Sequence, residues 1–273
     1  MRHTTRRSPL TTGGTLLAAL LAFTASTAAQ KPPALRTLYS FTGGADGLSA
    51  RADVVNGKGG VLYGTAYQGG TGACPSGCGT VFSLTPPASP GGVWTETTLY
   101  SFTGHSDGVY PSSVVIGSGG VLHGTAHGGS GFGTVFSLAP PAGGPSGPGG
   151  AWTETTLYSF TGGSGGGDPA GVVTGKDGAL YGATWFGGTA NHGTVFQLTP
   201  PASPGGAWTE TTLHSFTGAI FANGVVIGCG PSGHPVLYGT THYGGTGPCT
   251  LAYPGCGTGV LANSAGVSRR FLD

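Results

Sequence analysis

The side chains with chemistry to offer are few: five cysteines, four tryptophans, eight histidines and nine acids in 273 residues. Cys74 and Cys78 flank Pro-Ser-Gly just before a Gly-Thr step, and Cys249 and Cys256 flank a longer insert before Gly257-Thr258. In an exported chain such pairs read as two local disulfides pinning equivalent loops. A four-Cys zinc centre would require distant segments to meet. Cys229 is left over, as a buried thiol or as the partner of a cysteine that is missing from the chain.

The acids argue against catalysis. Glu96, Glu154 and Glu210 follow Trp-Thr in three recurring phrases, and Asp46, Asp107 and Asp168 are read as a second shared position. General acid or base work needs groups whose surroundings differ from their neighbours', whereas a residue repeated in every copy reads as structural. Before position 259, only Asp53 and Asp177 fall outside the pattern. The Asp-Gly steps and Asn223-Gly224 are turn chemistry, and no dense oxygen-ligand loop of the EF-hand kind appears. Most histidines lie in Gly-rich stretches or near the N-terminus, while His123 and His214 occupy Tyr positions; none has zinc spacing, and packing is the expected role. No catalytic residue, metal or cofactor is therefore assigned. Trp94, Trp152 and Trp208 recur in register, as core residues do. Trp185 occurs in one copy only, beside Phe186 and Gly187-Gly188, and these two aromatics are the ligand-binding candidates, suited to stacking on a sugar ring. Gly-Gly-x-Gly phrases open no helix, which argues against a phosphate loop.

The elements that must position these residues repeat. Leu38-Tyr39-Ser40-Phe41 returns at Leu99, Leu157 and Leu213, the last copy with His214 for Tyr, at spacings of 61, 58 and 56 residues. Leu62-Tyr63-Gly64-Thr65 has counterparts at Leu122, Leu180 and Leu237, and Gly79-Thr80-Val81-Phe82 at Gly133 and Gly193, each of these running on to Pro-Pro. A period this long marks a repeat architecture. Each unit holds four short β-rich runs, clearest at 114–116, 121–125, 133–138 and 152–160, separated by turn residues such as Gly117-Ser118-Gly119-Gly120. The expected fold is all-β and β-propeller-like, about four four-stranded repeats of about 58 residues, with repeats starting near 38, 99, 157 and 213. A β-solenoid is the competing architecture, but its coils are shorter. No segment shows a capped helical period. The phrase at 36–41 has the sequence of a fourth strand, which could complete the last blade and close a ring.

Composition sets the class. The chain has 58 glycines, 20 prolines and only 7% charged residues, yet 37% are hydrophobic and 10% aromatic, so the glycines are read as turns in a packed chain. Residues 1–29 read as a signal peptide: Arg2, Arg6 and Arg7 precede an apolar run from Leu16 to Phe23 and small residues at 26–29. The run is too short to span a bilayer. Arg6-Arg7 leaves a twin-arginine export route open. Behind the leader, five basic residues face eight acids before position 259, which argues against nucleic acid. Residues 259–273 abandon the repeat. With suitable codons their adjacent reading frame spells Val-Phe-Ser-Leu-Thr-Pro-Pro-Ala-Ser-Pro-Gly-Gly, so this tail is expected to be a frameshift product of a longer ancestor, and the repeat domain spans 30–258.

The recurring phrases resemble those of the bacterial choice-of-anchor tandem repeat GloVer-containing proteins, over about residues 36–258. The resemblance implies an extracellular or surface-attached repeat protein and brings no catalytic residues with it. The expected function is a secreted binding or structural module for a glycan or protein. The alternative is a propeller-type extracellular enzyme, such as a glycan lyase, a glycan hydrolase or a quinone-dependent dehydrogenase.

Overall fold

The computed structural model describes residues 35–129, 131–144, 150–218, 220–229, 235–244 and 259–263. All belong to the unit Thr37–Asp273, apart from Leu35 and Arg36.

Each copy of the repeat folds into its own antiparallel meander. The first comprises β1 (Val55–Asn56), β2 (Leu62–Ala66), β3 (Thr80–Thr85) and β4 (Thr95–Ser101). The second comprises β5 (Val109–Ile116), β6 (Leu122–His127), β7 (Thr134–Ala139) and β8 (Thr153–Ser159), and the third β9 (Gly167–Thr174), β10 (Leu180–Phe186), β11 (Thr194–Thr199) and β12 (Thr209–Ser215). The fourth contains β13 (Ile220–Cys229), β14 (Pro235–Tyr243) and β15 (Gly259–Asn263). The only helical turns among the described residues are four short 3-10 segments, three of which sit in the hairpins joining the first two strands of a sheet.

The strands follow from their residues. Thr-Val-Phe-x-Leu fills the third strand of the first three sheets with β-branched and aromatic side chains, and its core positions are buried. Thr-Glu-Thr-Thr-Leu forms the fourth, alternating exposed and half-buried as one open face requires. In the second sheet the hairpin closes through Gly117 N–H donating to Val121 O at 2.7 Å, with Gly119 and Gly120 at φ 67° and 80°. The same bulge recurs between the third and fourth strands at Val81/Phe82, Val135/Phe136 and Val195/Phe196. β15 keeps the third-strand register, with Val260 opposite Gly239 where Phe196 stands opposite Gly182. The tail thus occupies a strand slot of the repeat in spite of its altered sequence.

Successive sheets stack through their inner strands: β5 packs against β2, β9 against β5 and β6, and β13 against β9 and β10. The seam between copies is built the same way each time. The Phe ending one Leu-Tyr-Ser-Phe phrase meets the third-strand Phe of the following sheet, as in Phe41–Phe82, Phe102–Phe136 and Phe160–Phe196, with centroids 4.8, 5.1 and 5.1 Å apart. Gly124 makes room for that ring, because a Cβ there would lie 2.5 Å from Phe136. The 36–41 phrase forms no ladder in the described residues, yet Phe41 seats on Phe82 as its counterparts do.

A second device, shared by the first two copies, clasps the turn after the Leu-Tyr-Ser-Phe phrase. Tyr100 Oη donates to Asp107 Oδ2 at 2.9 Å, Thr103 N–H to the same oxygen at 2.7 Å, and Thr103 Oγ1 to Oδ1 at 2.8 Å. Tyr39, Thr42 and Asp46 repeat this set. Asp168, grouped with them by sequence, does not belong: the clasp position of the third copy is Gly165, and Asp168 aligns with Tyr110.

Candidate functional site

The inner strands and the residues flanking them line an open cavity of about 520 Å³ whose wall draws on every copy of the repeat. Arg51, Ala52 and Asp53 enter from the stretch before β1, Pro111, Ser112 and Ser113 from β5, Ala170 from β9, and Asn223 and Gly224 from β13. Tyr67, His127 and Trp185 complete it from the ends of the second strands.

These last three share one position of the repeat, directly after Thr-Ala or Ala-Thr, and His242 is the fourth member. Their rings follow one another with centroid separations of 6.0 Å for Tyr67–His127, 6.2 Å for His127–Trp185 and 6.5 Å for Trp185–His242. One aromatic ring from each copy thus joins an arc, and the first three of these rings line the cavity. Tyr67 is held on its faces: Tyr110 stacks on it at 4.7 Å, and the Arg51 guanidinium lies 4.5 Å from its centroid.

Bulges aim the wall residues inward. The β5–β6 register shifts around Pro111, and the β9–β10 register shifts opposite Pro169. Just before these prolines Tyr110 and Asp168 take left-handed backbone, φ 54° and 49°. Their N–H groups donate to the preceding copy, to Cys78 O at 2.7 Å and Phe132 O at 2.8 Å in the loops before β3 and β7. Strained conformations of this kind persist where the surroundings over-determine them.

Inside the arc His127 joins two partners. Its Nε2 lies 2.8 Å from Ser112 Oγ, and its Nδ1 lies 3.7 Å from Asp168 Oδ1. Asp168 Oδ1 also accepts from Gly128 N–H at 3.3 Å. Burial pushes the Asp168 carboxyl up, but His127 and the Gly128 N–H outweigh it and hold the group below the usual carboxylate range.

The family model described as a Gloeobacter/Verrucomicrobia repeat matches residues 29–252. The chain belongs to that family. No curated protein matches it.

Within this Gloeobacter/Verrucomicrobia repeat protein the sequence candidates scatter. Trp185 stands on the cavity wall, 36% exposed. Phe186 points instead into a seam, 5.7 Å from Phe132. Cys74 and Cys78 form a disulfide; Cys249 and Cys256 lie outside the described residues. Cys229 is exposed and unpaired, not a buried thiol. Asp53 reaches the cavity, whereas Asp177 sits in the exposed turn beyond β9, so the two lone acids are not brought together. Glu96, Glu154 and Glu210 repeat one local arrangement, each accepting from the Thr two residues on at 3.0–3.1 Å. Trp152 packs edge-on to Tyr63 of the preceding sheet at 6.1 Å. At the corresponding face of Tyr181 there is instead a mostly apolar cavity of about 370 Å³. Among the described residues no cluster of three metal-ligating side chains exists, and no helix is long and apolar enough to cross a membrane.

Sequence reasoning missed Arg51, Tyr67, Ser112 and His127. The signal lay in columns of the repeat that vary among constant neighbours: Tyr67, His127, Trp185 and His242 in one, Ala52, Ser112, Ala170 and Asn223 in the other.

Proposed function

We propose that this chain is an exported, extracellular or cell-surface binding module whose sheets stand as blades of a β-propeller, and that its central cavity holds one ring of a glycan. The observation that carries the reading is Trp185, 36% exposed on the cavity wall beside the ring of His127, which offers a π-face to the C–H face of a sugar. Arg51, Asp53 and Asn223 on the same wall supply donors and acceptors for hydroxyl groups. A cavity of this size suits a small ring better than a protein surface. The basic, apolar leader and the Cys74–Cys78 disulfide favour an oxidising location outside the cytosol.

A glycan array tests this reading. Retention of the wild type on a defined set of glycans, lost in Trp185→Ala while the melting temperature holds, is the expected result. Equal retention by the two proteins would place binding elsewhere.

A further inference from the structure

We propose that Ser112, His127 and Asp168 act together as a nucleophile, base and orienting carboxylate that hydrolyses a small carboxylic ester in the central cavity. The ester's alcohol side would be the ring-bearing ligand proposed above, and only that part of the inference rests on the binding reading.

Nucleophile and base are recognised by geometry: an alcohol within hydrogen-bond reach of an imidazole whose other nitrogen faces a carboxylate. Ser112 Oγ is 2.8 Å from His127 Nε2, and Nδ1 faces Asp168 Oδ1 at 3.7 Å. Such contacts are often long in ligand-free sites and shorten as the imidazole gains charge. Ser112 and His127 both line the cavity, so a carbonyl carbon entering it can reach the hydroxyl. Asp168 is held by Gly128 N–H and by its left-handed backbone, which makes it a positioning residue rather than a group that touches substrate.

The constellation occurs once in a molecule that repeats nearly everything else. Where the second copy pairs Ser112 with His127, the others have Ala52 with Tyr67, Ala170 with Trp185 and Asn223 with His242. The fold is built three times without the pair, so packing does not require it. The third member comes from a different sheet, at a position where the second copy has Tyr110.

The step balances without a metal or redox partner. Ser112 Oγ bonds to the ester carbonyl carbon as its proton passes to His127 Nε2, and the carbonyl π pair moves onto oxygen. Collapse of the tetrahedral adduct breaks the acyl C–O bond, and the departing alkoxide takes the proton from His127. Water then attacks the acylated Ser112, giving its proton to His127; collapse releases the carboxylic acid and returns the proton to Ser112. Arg51, held over Tyr67 on the same wall, supplies positive charge for the oxyanion.

The experiment treats the full chain with a fluorophosphonate probe, which needs no sugar, maps the adduct by peptide mass, and measures p-nitrophenyl acetate turnover in parallel. The expected result is one adduct on Ser112, abolished by Ser112→Ala, retained in Ser118→Ala in the exposed hairpin after β5, and slowed by at least ~100-fold in His127→Gln. Asp168→Ala should slow labelling and Asp168→Glu restore part of it, a rescue that a purely structural role would not produce. Absence of an adduct on folded wild-type protein, or an adduct that survives Ser112→Ala, overturns the proposal. Glycan retention that survives while wild-type Ser112 stays unlabelled overturns the hydrolysis and leaves the binding reading standing. Labelling of Ser112 without glycan retention does the reverse.

Discussion

The seams between sheets and the wall of the cavity are made from the same repeat, yet the seam contact is nearly identical in the first three copies whereas the wall varies from copy to copy. Phe41–Phe82, Phe102–Phe136 and Phe160–Phe196 are one contact made three times, and the Thr98–Glu96, Thr156–Glu154 and Thr212–Glu210 hydrogen bonds are another. The cavity column reads Tyr, His, Trp, His. Packing tolerates one good solution copied many times, whereas recognition of an asymmetric ligand needs different groups at equivalent places. The difference therefore separates residues that hold the protein together from residues free to serve a ligand.

The comparison breaks most visibly at the seam. Phe136 is fully buried against Phe102, and Phe136→Ala should cost about 3–5 kcal/mol in a denaturant titration while leaving the cavity column untouched. A loss below ~1 kcal/mol would mean that the seam does not carry the stability.

Next in size is the clasp. Burial pushes the Asp107 carboxyl up, but hydrogen bonds from Thr103, Tyr100 and His105 more than offset it and leave the group below its ordinary range. A carboxyl depressed in the folded state adds stability that is complete above its unfolded value of ~4 and is lost as pH falls through the folded one. Asp107→Asn should therefore cost about 1–3 kcal/mol at neutral pH, and the gap to wild type should close as pH drops below ~4. Asp46→Asn, at the more exposed copy, should cost less. Chemical denaturation at several pH values checks both.

The smallest effect has the opposite sign. Burial raises Glu154 above its ordinary value, outweighing the Thr156 hydrogen bond that lowers it, with Asp107 raising it further. A carboxyl raised in the folded state contributes stability below its unfolded value that is lost as pH rises through the folded one. Glu154→Gln keeps an acceptor for Thr156 and should leave the protein at neutral pH equal or more stable, by under about 1 kcal/mol. Clear destabilisation in a thermal melt would show that the repeated glutamates do more than fill a strand position.

Most of the fold is legible in the sequence because its causes are local and recur. Leu-Tyr-Gly-Thr and Gly-Thr-Val-Phe state a strand in a few residues, and the Gly-Ser-Gly-Gly hairpin is turn chemistry that needs no tertiary context. The cavity is not legible in that way. His127, followed by Gly128-Gly129, looks like a loop residue, but it ends β6 and meets Ser112 of β5, where a bulge at Pro111 shifts the register between the two strands. Asp168 follows a run of glycines that hides its offset of three residues from the clasp position, so a reading by proximity places it with Asp46 and Asp107. The Cys74–Cys78 bond was legible because its spacing closes a loop without help from the rest of the chain.

The most direct test sets one tryptophan from each region side by side. Trp185 faces the cavity, while Trp152 packs edge-on to Tyr63 across a seam. Glycan retention and melting temperature would be measured on Trp185→Ala and Trp152→Ala in parallel. The account predicts that Trp185→Ala loses retention at unchanged melting temperature and that Trp152→Ala melts earlier yet, when folded, is retained like the wild type. Retention lost in folded Trp152→Ala and kept in Trp185→Ala would contradict it.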